Sequence, residues 1–305
     1  MRIIFMGTPD FAVASLDALV KAGYNVVAAI TAPDKPAGRG LQLQQSAVKQ
    51  YAVAHNIPVL QPEKLKNPAF LEELRGYRAD LQVVVAFRML PELVWDMPPL
   101  GTINVHASLL PQYRGAAPIN WAIINGESKS GVTTFKLQHE IDTGNILFKS
   151  EVPIRPDETA GELHDALMQA GAETLLRTVA ALKEGNLQGQ PQDDIDAGEL
   201  KHAPKIFKED CKIDWEQPLE QVYNLVRGLS PYPTAFTTLQ DKTLKIYKAT
   251  TDAVAHVHKP GSVVSDKKTY LKFAAHGGFL NVLELQLEGK KKMGVEEFLR
   301  GFRFE

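Results

Sequence analysis

Cysteine is nearly absent from this chain, which has one, Cys211, among 305 residues. A single cysteine excludes an intramolecular disulfide and a cysteine-rich zinc site, and it is typical of a reducing compartment. Long apolar runs are missing too, since no stretch approaches the roughly 18 apolar residues of a membrane span. The apolar start at Met1–Met6 is interrupted by Pro9 and Asp10, too early for a signal-peptide core. We therefore expect a cytoplasmic protein without a membrane anchor.

Two nucleotide-binding fingerprints are also absent. The segment Gly7–Ala12 follows the first predicted strand but lacks G-x-G-x-x-G, and Pro9 and Asp10 stand where amides would face a pyrophosphate. The chain contains no G-x-x-x-x-G-K-[ST] either. These absences argue against an NAD-dependent dehydrogenase and a P-loop NTPase.

The first half of the chain alternates strand-like and helix-like segments. Apolar runs predict strands at Arg2–Met6, Asn25–Thr31, Pro58–Leu60, Leu81–Ala86, Gly101–His106, Val132–Gln138 and Asn145–Val152. Apolar periodicity predicts helices at Phe11–Ala22, Ser46–His55, Asn67–Arg75 and Asp157–Glu184. Between them, 32–45 is predicted to be a long loop. The alternation indicates an α/β fold with a doubly wound, mostly parallel sheet.

The second half has a different pattern. From Gly185 to about Ala203 the chain is rich in Gly, Gln, Asp and Pro, which predicts a linker. Short β-rich runs separated by turns follow, at Thr234–Leu239, Leu244–Lys248, Gly261–Val264, Tyr270–Ala274 and Leu280–Gln286. They predict a second, smaller domain that is a β-barrel. We therefore predict a first domain at 1–185, a linker at 186–205 and a C-terminal domain at 206–305.

The two halves differ in charge. Residues 204–305 carry 16 Lys and Arg against 13 Asp and Glu, which is a net charge of +3 and leaves −5 for the preceding residues. A basic barrel can bind a phosphate backbone. A difference of this size is also routine for a small domain, and both interpretations stay open. The same holds for the basic turn Gly289–Gly294, which is either a solvated loop or a phosphate contact.

Asn104 and His106 stand at the end of an apolar strand. Because side chains alternate along a strand, both point to one face, while Ile103 and Val105 point to the other. A loop bounded by prolines follows, at the carboxyl edge where open α/β sheets bind ligands. An amide and an imidazole in that place suit chemistry on a carbonyl, because one stabilises an oxyanion and the other moves a proton. The alternative is a pair of structural polar groups.

Asp142 lies in the turn Ile141–Gly144, after a predicted strand. One interpretation is an Asx turn without function. The other is that its carboxylate orients His106 and raises the proton affinity of the imidazole. The sequence does not decide whether the two side chains meet.

Together these residues resemble the methionyl-tRNA formyltransferase family over essentially the whole chain. The matching segments are Gly7–Phe11, Pro33–Gly40, Asn104–Pro118, Gly131–Thr133, Ile141–Gly144, Ile213–Trp215, Pro231–Pro233 and Gly289–Met293. Two segments depart from the family pattern. Leu41–Gln45 lacks the usual basic residues, and Ala86–Pro91 brings Arg88 into a region that the family uses beside the pterin.

The resemblance implies a Rossmann-like formyl-transfer domain, an OB-like tRNA-binding domain and no metal. It implies 10-formyltetrahydrofolate as formyl donor and the α-amine of methionyl initiator tRNA as acceptor. By matching positions, it assigns catalysis to Asn104, His106 and Asp142, and tRNA contact to Arg39. It assigns folate binding to Ser108, Leu109, Leu110 and Pro111.

The implied mechanism is attack of the neutral amine on the formyl carbon. Asn104 and His106 would donate to the oxygen of the tetrahedral intermediate, while Asp142 would bind His106 and help to relay the proton of the amine. We expect a monomer. Two alternatives stay open: a sugar-amine N-formyltransferase, which shares the donor and the three catalytic residues, and a non-catalytic tRNA- or folate-binding protein.

Overall fold

The protein divides into two compact units. The computed structural model describes residues 1–37, 42–185, 187–196 and 198–304. The first unit comprises Met1–Gly115, Ser130–Val152 and His164–His202, and the second comprises Ala116–Lys129, Pro153–Leu163 and Ala203–Glu305. Two short segments from the first half of the chain therefore belong to the second unit.

The strands and helices follow the alternation that the sequence predicts for the first half. The strands are β1 Arg2–Gly7, β2 Asn25–Ile30, β3 Lys35–Ala37, β4 Gln42–Gln44, β5 Val59–Leu60, β6 Leu81–Val85, β7 Thr102–His106, β8 Arg114–Gly115, β9 Lys129–Lys136, β10 Ile146–Pro153, β11 His202–Ala203, β12 Ala235–Leu239, β13 Lys242–Asp252, β14 Val263–Ser265, β15 Leu271–Ala275, β16 Gly278–Leu287 and β17 Met293–Gly294. The helices are α1 Asp10–Lys21, α2 Ala47–Ala54, α3 Pro68–Gly76, α4 Glu92–Trp95, α5 Pro118–Ile124, α6 Ala160–Glu184, α7 Leu219–Gly228 and α8 Val295–Gly301, with 3-10 turns at Gln192–Asp194 and Glu209–Cys211.

The first unit is built on a seven-stranded sheet in the order β10-β9-β7-β6-β1-β2-β5. The pairs β5/β2, β2/β1, β1/β6 and β6/β7 are parallel, and β9 is antiparallel to β7. All five residues of β6 are buried, as expected for a central strand covered on both faces. The Rossmann-like doubly wound sheet is therefore confirmed. Its parallel strands bring the ends of β1, β2, β6 and β7 to one edge, where ligands bind in such sheets.

The turn from β1 into α1 is unusually close. A Cβ added at Gly7 would lie 2.5 Å from Cβ of Ala12 and 2.9 Å from the carbonyl oxygen of Val85. Only glycine lets the helix start so near the sheet. The glycine therefore serves strand–helix packing, in a turn that lacks the phosphate-binding fingerprint.

The predicted loop at 32–45 is in part a hairpin. β3 pairs antiparallel with β4, with Lys35 opposite Gln44 and Pro36 opposite Leu43. The alternation of Gln and Leu on β4 is a strand pattern that is too short to distinguish from a loop in the sequence. Arg39, the predicted tRNA contact, lies outside the described residues, between these two strands.

The second unit contains a curled antiparallel sheet. Its strand order is β12-β13-β16-β15-β14, and β17 pairs with β16. The predicted OB-like domain is confirmed as a half-barrel of this kind. Helix α7, which the sequence does not predict, packs Leu219, Val222 and Val226 into the core beside this sheet. In the described part of the chain, no helix has both the length and the apolar character that crossing a membrane demands.

Candidate active site

Asn104 and His106 lie in the last three residues of β7, and their side chains are on one face of the sheet. The other face of the strand packs on helix α6, where a Cβ built at Gly171 would lie 3.2 Å from Val105. His106 is buried, and Asn104 is half-buried. Among the described residues, none hydrogen-bonds the amide of Asn104. The amide is thus free to bind a ligand at the edge where β7 ends.

The imidazole of His106 is held by its Nε2 atom. This atom lies 2.9 Å from the carbonyl oxygen of Tyr113, and because a carbonyl only accepts, Nε2 is the donor. The ring also packs edge-on against Phe135, with 6.5 Å between ring centroids. Nδ1 is therefore the nitrogen that can exchange a proton or donate to a reacting oxygen. Tyr113 is a positioning residue that the sequence does not reveal, since it acts through its backbone.

The structure brings Asp142 to His106. Nδ1 of His106 lies 3.9 Å from Oδ2 of Asp142, which is longer than a direct hydrogen bond and leaves room for adjustment or a bridging water. The same Oδ2 accepts a hydrogen bond of 3.0 Å from the amide of Gly115. Both side chains are nearly buried, so the carboxylate is a negative charge set close beside Nδ1 and little exposed to solvent.

The turn that carries Asp142 is tightly constrained. Asp142 adopts a φ of 56°, a left-handed conformation that Asp tolerates better than most residues. A Cβ at Gly144 would lie 1.7 Å from the carbonyl oxygen of Lys136, so that position requires glycine. The Asp-Thr-Gly sequence thus places a carboxylate at a defined point above the end of β7.

Gln192 holds this turn from below. Its Nε2 donates to the carbonyl oxygens of Asp142, at 2.8 Å, and Gly144, at 2.9 Å. Its Oε1 accepts from Nε and Nη2 of Arg114, at 3.0 and 2.7 Å. The side chain is buried, although the residue lies in the segment whose composition predicts a linker. The sequence does not predict this role, because nothing in a polar segment distinguishes a buried glutamine from its exposed neighbours.

Replacing Gln192 by leucine is expected to lower kcat by about 10-fold or more, because small displacements of a catalytic group are costly. The change removes both donors to the Asp142 turn and the acceptor for Arg114. Steady-state kinetics of the variant measure the effect, with the exposed Gln188→Leu as the matched control. Equal kcat values for both variants would show that Gln192 does not position Asp142.

The segment Ser108–Pro111 is folded into the interior. Ser108 Oγ donates to the carbonyl oxygen of Gln112 at 2.6 Å, and Thr133 Oγ1 donates to Ser108 O at 2.7 Å and accepts from the amide of Leu110 at 3.1 Å. Leu110 and Pro111 are buried around a cis peptide bond, and Leu109 is half-buried. Leu109 and the backbone are what this segment offers to a ligand.

A cavity of about 540 Å³ opens beyond the carboxyl end of β6. It is lined by Leu65, Lys66, Arg88, Met89, Leu90, Pro91, Glu92, Leu93 and His139. Met89 and Leu93 are exposed, and so is Ile141, next to Asp142. Exposed apolar side chains around a cavity at this edge are typical of a binding site. His139, in the wall, and Asp142 lie in the same connection between β9 and β10, which therefore contributes to both the cavity and the polar cluster.

The root of the β3–β4 hairpin is anchored to the first unit. Lys49 Nζ lies 2.5 Å from Asp34 Oδ2, and Gln61 Nε2 donates to Asp34 Oδ1 at 2.7 Å. These two hydrogen bonds hold the pKa of Asp34 below its usual value, and the one from Lys49 has the larger effect. A second, polar cavity of about 470 Å³ lies beside this root, and its lining includes Thr8, Asp10, Lys35 and Ser46.

Comparisons with known proteins show the family to which the chain is similar. The family described as "Formyl transferase" matches residues 1–179, and "Formyl transferase, C-terminal domain" matches residues 205–303. A methionyl-tRNA formyltransferase from Parabacteroides distasonis is 58% identical over 311 residues, covering 99% of this chain and 96% of that protein. The chain belongs to the methionyl-tRNA formyltransferase family. Further members, from Bacteroides fragilis and Flavobacterium johnsoniae, are 54% and 53% identical and cover 99% and 100% of the chain, and 95% and 97% of their own lengths.

Solved structures share the fold of this family at low identity. HypX from Aquifex aeolicus, in complex with tetrahydrofolic acid, matches with a TM-score of 0.68 at 20% identity over 100% of this chain, which spans only 48% of HypX. The sugar 3N-formyl transferase WlaRD, solved with dTdp and 5-N-formyl-THF, matches with a TM-score of 0.67 at 20% identity, over 95% of this chain and 99% of its own. At such identity these matches show the fold alone.

Proposed function

We propose that this chain transfers the formyl group of 10-formyltetrahydrofolate to the α-amine of methionyl initiator tRNA, for translation initiation. The observation that carries the proposal is the convergence of Asn104, His106 and Asp142 at the end of β7. Relatives that are 53–58% identical over nearly the full chain bear the name of this activity. The proposed site is therefore supported by geometry, and the proposed substrates are supported by sequence similarity to these relatives.

The donor occupies the cavity beyond β6 in this proposal. A pterin is a flat heteroaromatic ring with polar edges, and the exposed Met89 and Leu93 offer apolar contact to its faces. Ser108, Leu109, Leu110 and Pro111 keep their assignment as folate-binding residues, acting through Leu109 and the backbone. The aminoacyl end of the acceptor enters from the side of the polar cavity beside the β3–β4 hairpin, and Arg39 is assigned to its tRNA contact.

The reaction exchanges the formyl group on N10 for a proton from the amine, and no proton is released to or taken from solvent overall. The neutral amine attacks the formyl carbon, a tetrahedral intermediate forms, and the bond to N10 breaks as N10 takes up a proton and the attacking nitrogen loses one. The free amide of Asn104 donates to the oxyanion, where such donors act most strongly. His106 keeps Nε2–H on Tyr113 O and, as the imidazolium with both nitrogens protonated, donates Nδ1–H to the oxyanion. The carboxylate of Asp142 holds that proton in place and relays the proton of the amine.

The tRNA is bound in part by the C-terminal domain, because residues 204–305 have a net charge of +3. In the turn at 289–294, Lys291 lies 3.2 Å from Glu297 and Lys292 lies 2.7 Å from Glu284. Surface pairs of this kind contribute little stability, so phosphates can replace these carboxylates as partners. We propose the catalytic domain at 1–185, the linker at 186–205 and the tRNA-binding domain at 206–305, in a cytoplasmic monomer.

Affinity for tRNA is expected to fall by roughly 10-fold when salt rises from about 50 to 200 mM, if two or more phosphates are neutralised. Filter binding at several salt concentrations measures the slope. Replacing Lys291 and Lys292 by alanine should lower the slope by about one for each lost phosphate contact. Affinity independent of salt would contradict a phosphate-binding role for this domain.

The proposed function is tested by incubating the protein with 10-formyltetrahydrofolate and methionyl initiator tRNA. We expect N-formylmethionyl-tRNA and tetrahydrofolate to appear in equal amounts. Folate binding without a formylated product from any amine would favour the non-catalytic alternative and contradict the proposal.

A further inference from the structure

Arg88 is an exposed residue whose side chain turns back onto the protein. Nη1 donates to the carbonyl oxygen of Glu63 at 2.9 Å, and Nη2 donates to that of Pro62. Cζ lies 5.6 Å from the centroid of the Phe87 ring. One guanidinium thus donates to the carbonyl oxygens of two successive residues in another segment. The forked donors of arginine suit this geometry, whereas the single ammonium of lysine does not.

These contacts join the two walls of the cavity beyond β6. Leu65 and Lys66, which follow the two bonded carbonyls, form one wall, and residues 88–93 form the other. Residues 88–93 need such support, because the segment that leads into this wall starts at Ala86, whose φ of 47° is a conformation that a Cβ disfavours. In the described part of the chain, residues 86–91 belong to no helix or strand that would fix their path.

We propose that Arg88 is a positioning residue for the formyl donor, acting as a clamp that fixes the width of the cavity. The proposal rests on the proposed function, since it takes the folate as the occupant. The guanidinium is engaged with protein carbonyls, so it shapes the cavity and does not bind the donor itself. Loss of the clamp raises the KM for the donor, while the reaction at Asn104, His106 and Asp142 proceeds at its normal rate.

The test compares Arg88→Ala and Arg88→Lys with the matched control Arg75→Ala, whose half-exposed side chain pairs with Glu72 on helix α3. We expect the KM for 10-formyltetrahydrofolate to rise about 10-fold in Arg88→Ala, as loss of charge-assisted hydrogen bonds can produce. The rise should be smaller in Arg88→Lys and absent in Arg75→Ala. kcat, the KM for tRNA and the melting temperature should stay within experimental error.

A donor without the glutamate tail distinguishes a clamp from direct binding. If Arg88 bound the tail carboxylate, its loss would raise the KM only for the donor that has the tail, and this result would overturn the proposal. The clamp predicts the same rise for both donors. An unchanged KM in Arg88→Ala, or a fall in kcat together with the melting temperature, would also overturn it.

Hydrogen exchange provides a readout that does not depend on the donor. In the ligand-free protein, amides of 86–93 should exchange faster in Arg88→Ala than in the unaltered chain, and equal exchange would overturn the clamp. Failure of the proposed function has a different signature, because the unaltered protein would then transfer no formyl group while the exchange difference persists.

Discussion

Replacing Asn104 by alanine is expected to lower kcat for formyl transfer by about 10² to 10³, the effect of losing one oxyanion donor. The amide is half-buried and hydrogen-bonds no described residue, so its donors are available to the intermediate alone. Because the substrate carbonyl carries less charge than the intermediate, the KM values should change little. Single-turnover formylation with saturating donor and tRNA measures the effect.

The matched control is Asn25→Ala, at the exposed start of β2 and therefore at the opposite edge of the parallel sheet. It should have the kcat of the unaltered protein. Thermal unfolding of Asn104→Ala should also be nearly unchanged, because no hydrogen bond to a described residue is lost. A normal kcat in Asn104→Ala would remove this residue from the catalytic set.

Replacing Asp142 by asparagine is expected to lower kcat by roughly 10² to 10⁴, the range for loss of acid–base assistance. Asparagine keeps an oxygen that accepts from the amide of Gly115 and tolerates the left-handed backbone, so the turn should survive. What is lost is the negative charge 3.9 Å from Nδ1 of His106. The variant therefore isolates the carboxylate from the shape of the turn.

Asp165→Asn, on the exposed face of α6, is the control for removal of one negative charge. Rapid-quench measurement of product formation distinguishes the chemical step from release of formylated tRNA. If Asp142→Asn and Asp165→Asn formed product at the same rate, the turn would be structural, as the Asx-turn interpretation of the sequence holds.

The periodic spacing of apolar residues predicts most strands and helices of the first unit. The strands and helices predicted there end within about three residues of those observed, because apolar spacing reports directly which faces are buried. The same rule put Asn104 and His106 on one face of a strand. In the second unit, helix α7 is absent from the prediction although its buried Leu219, Val222 and Val226 have the three- and four-residue spacing of an amphipathic helix.

Contacts between distant segments were not predictable from periodicity. The approach of Asp142 to His106 depends on how β9 lies against β7, and no local pattern encodes it. Gln192 is a sharper case, because its segment is polar and predicts a linker, yet its amide satisfies two carbonyls of the Asp142 turn. In the sequence, Arg88 is only a departure from the family pattern, because its two carbonyl partners come from a separate segment.

The most direct measurement is competition for the formyl group among three amines in one reaction. Methionyl initiator tRNA, methionyl elongator tRNA and an amino-sugar nucleotide are mixed in equal amounts with limiting 10-formyltetrahydrofolate, and the formylated products are quantified. We predict that nearly all of the formyl group appears on the initiator tRNA. Transfer mainly to the amino sugar would keep the chemistry at Asn104, His106 and Asp142 but contradict the proposed acceptor.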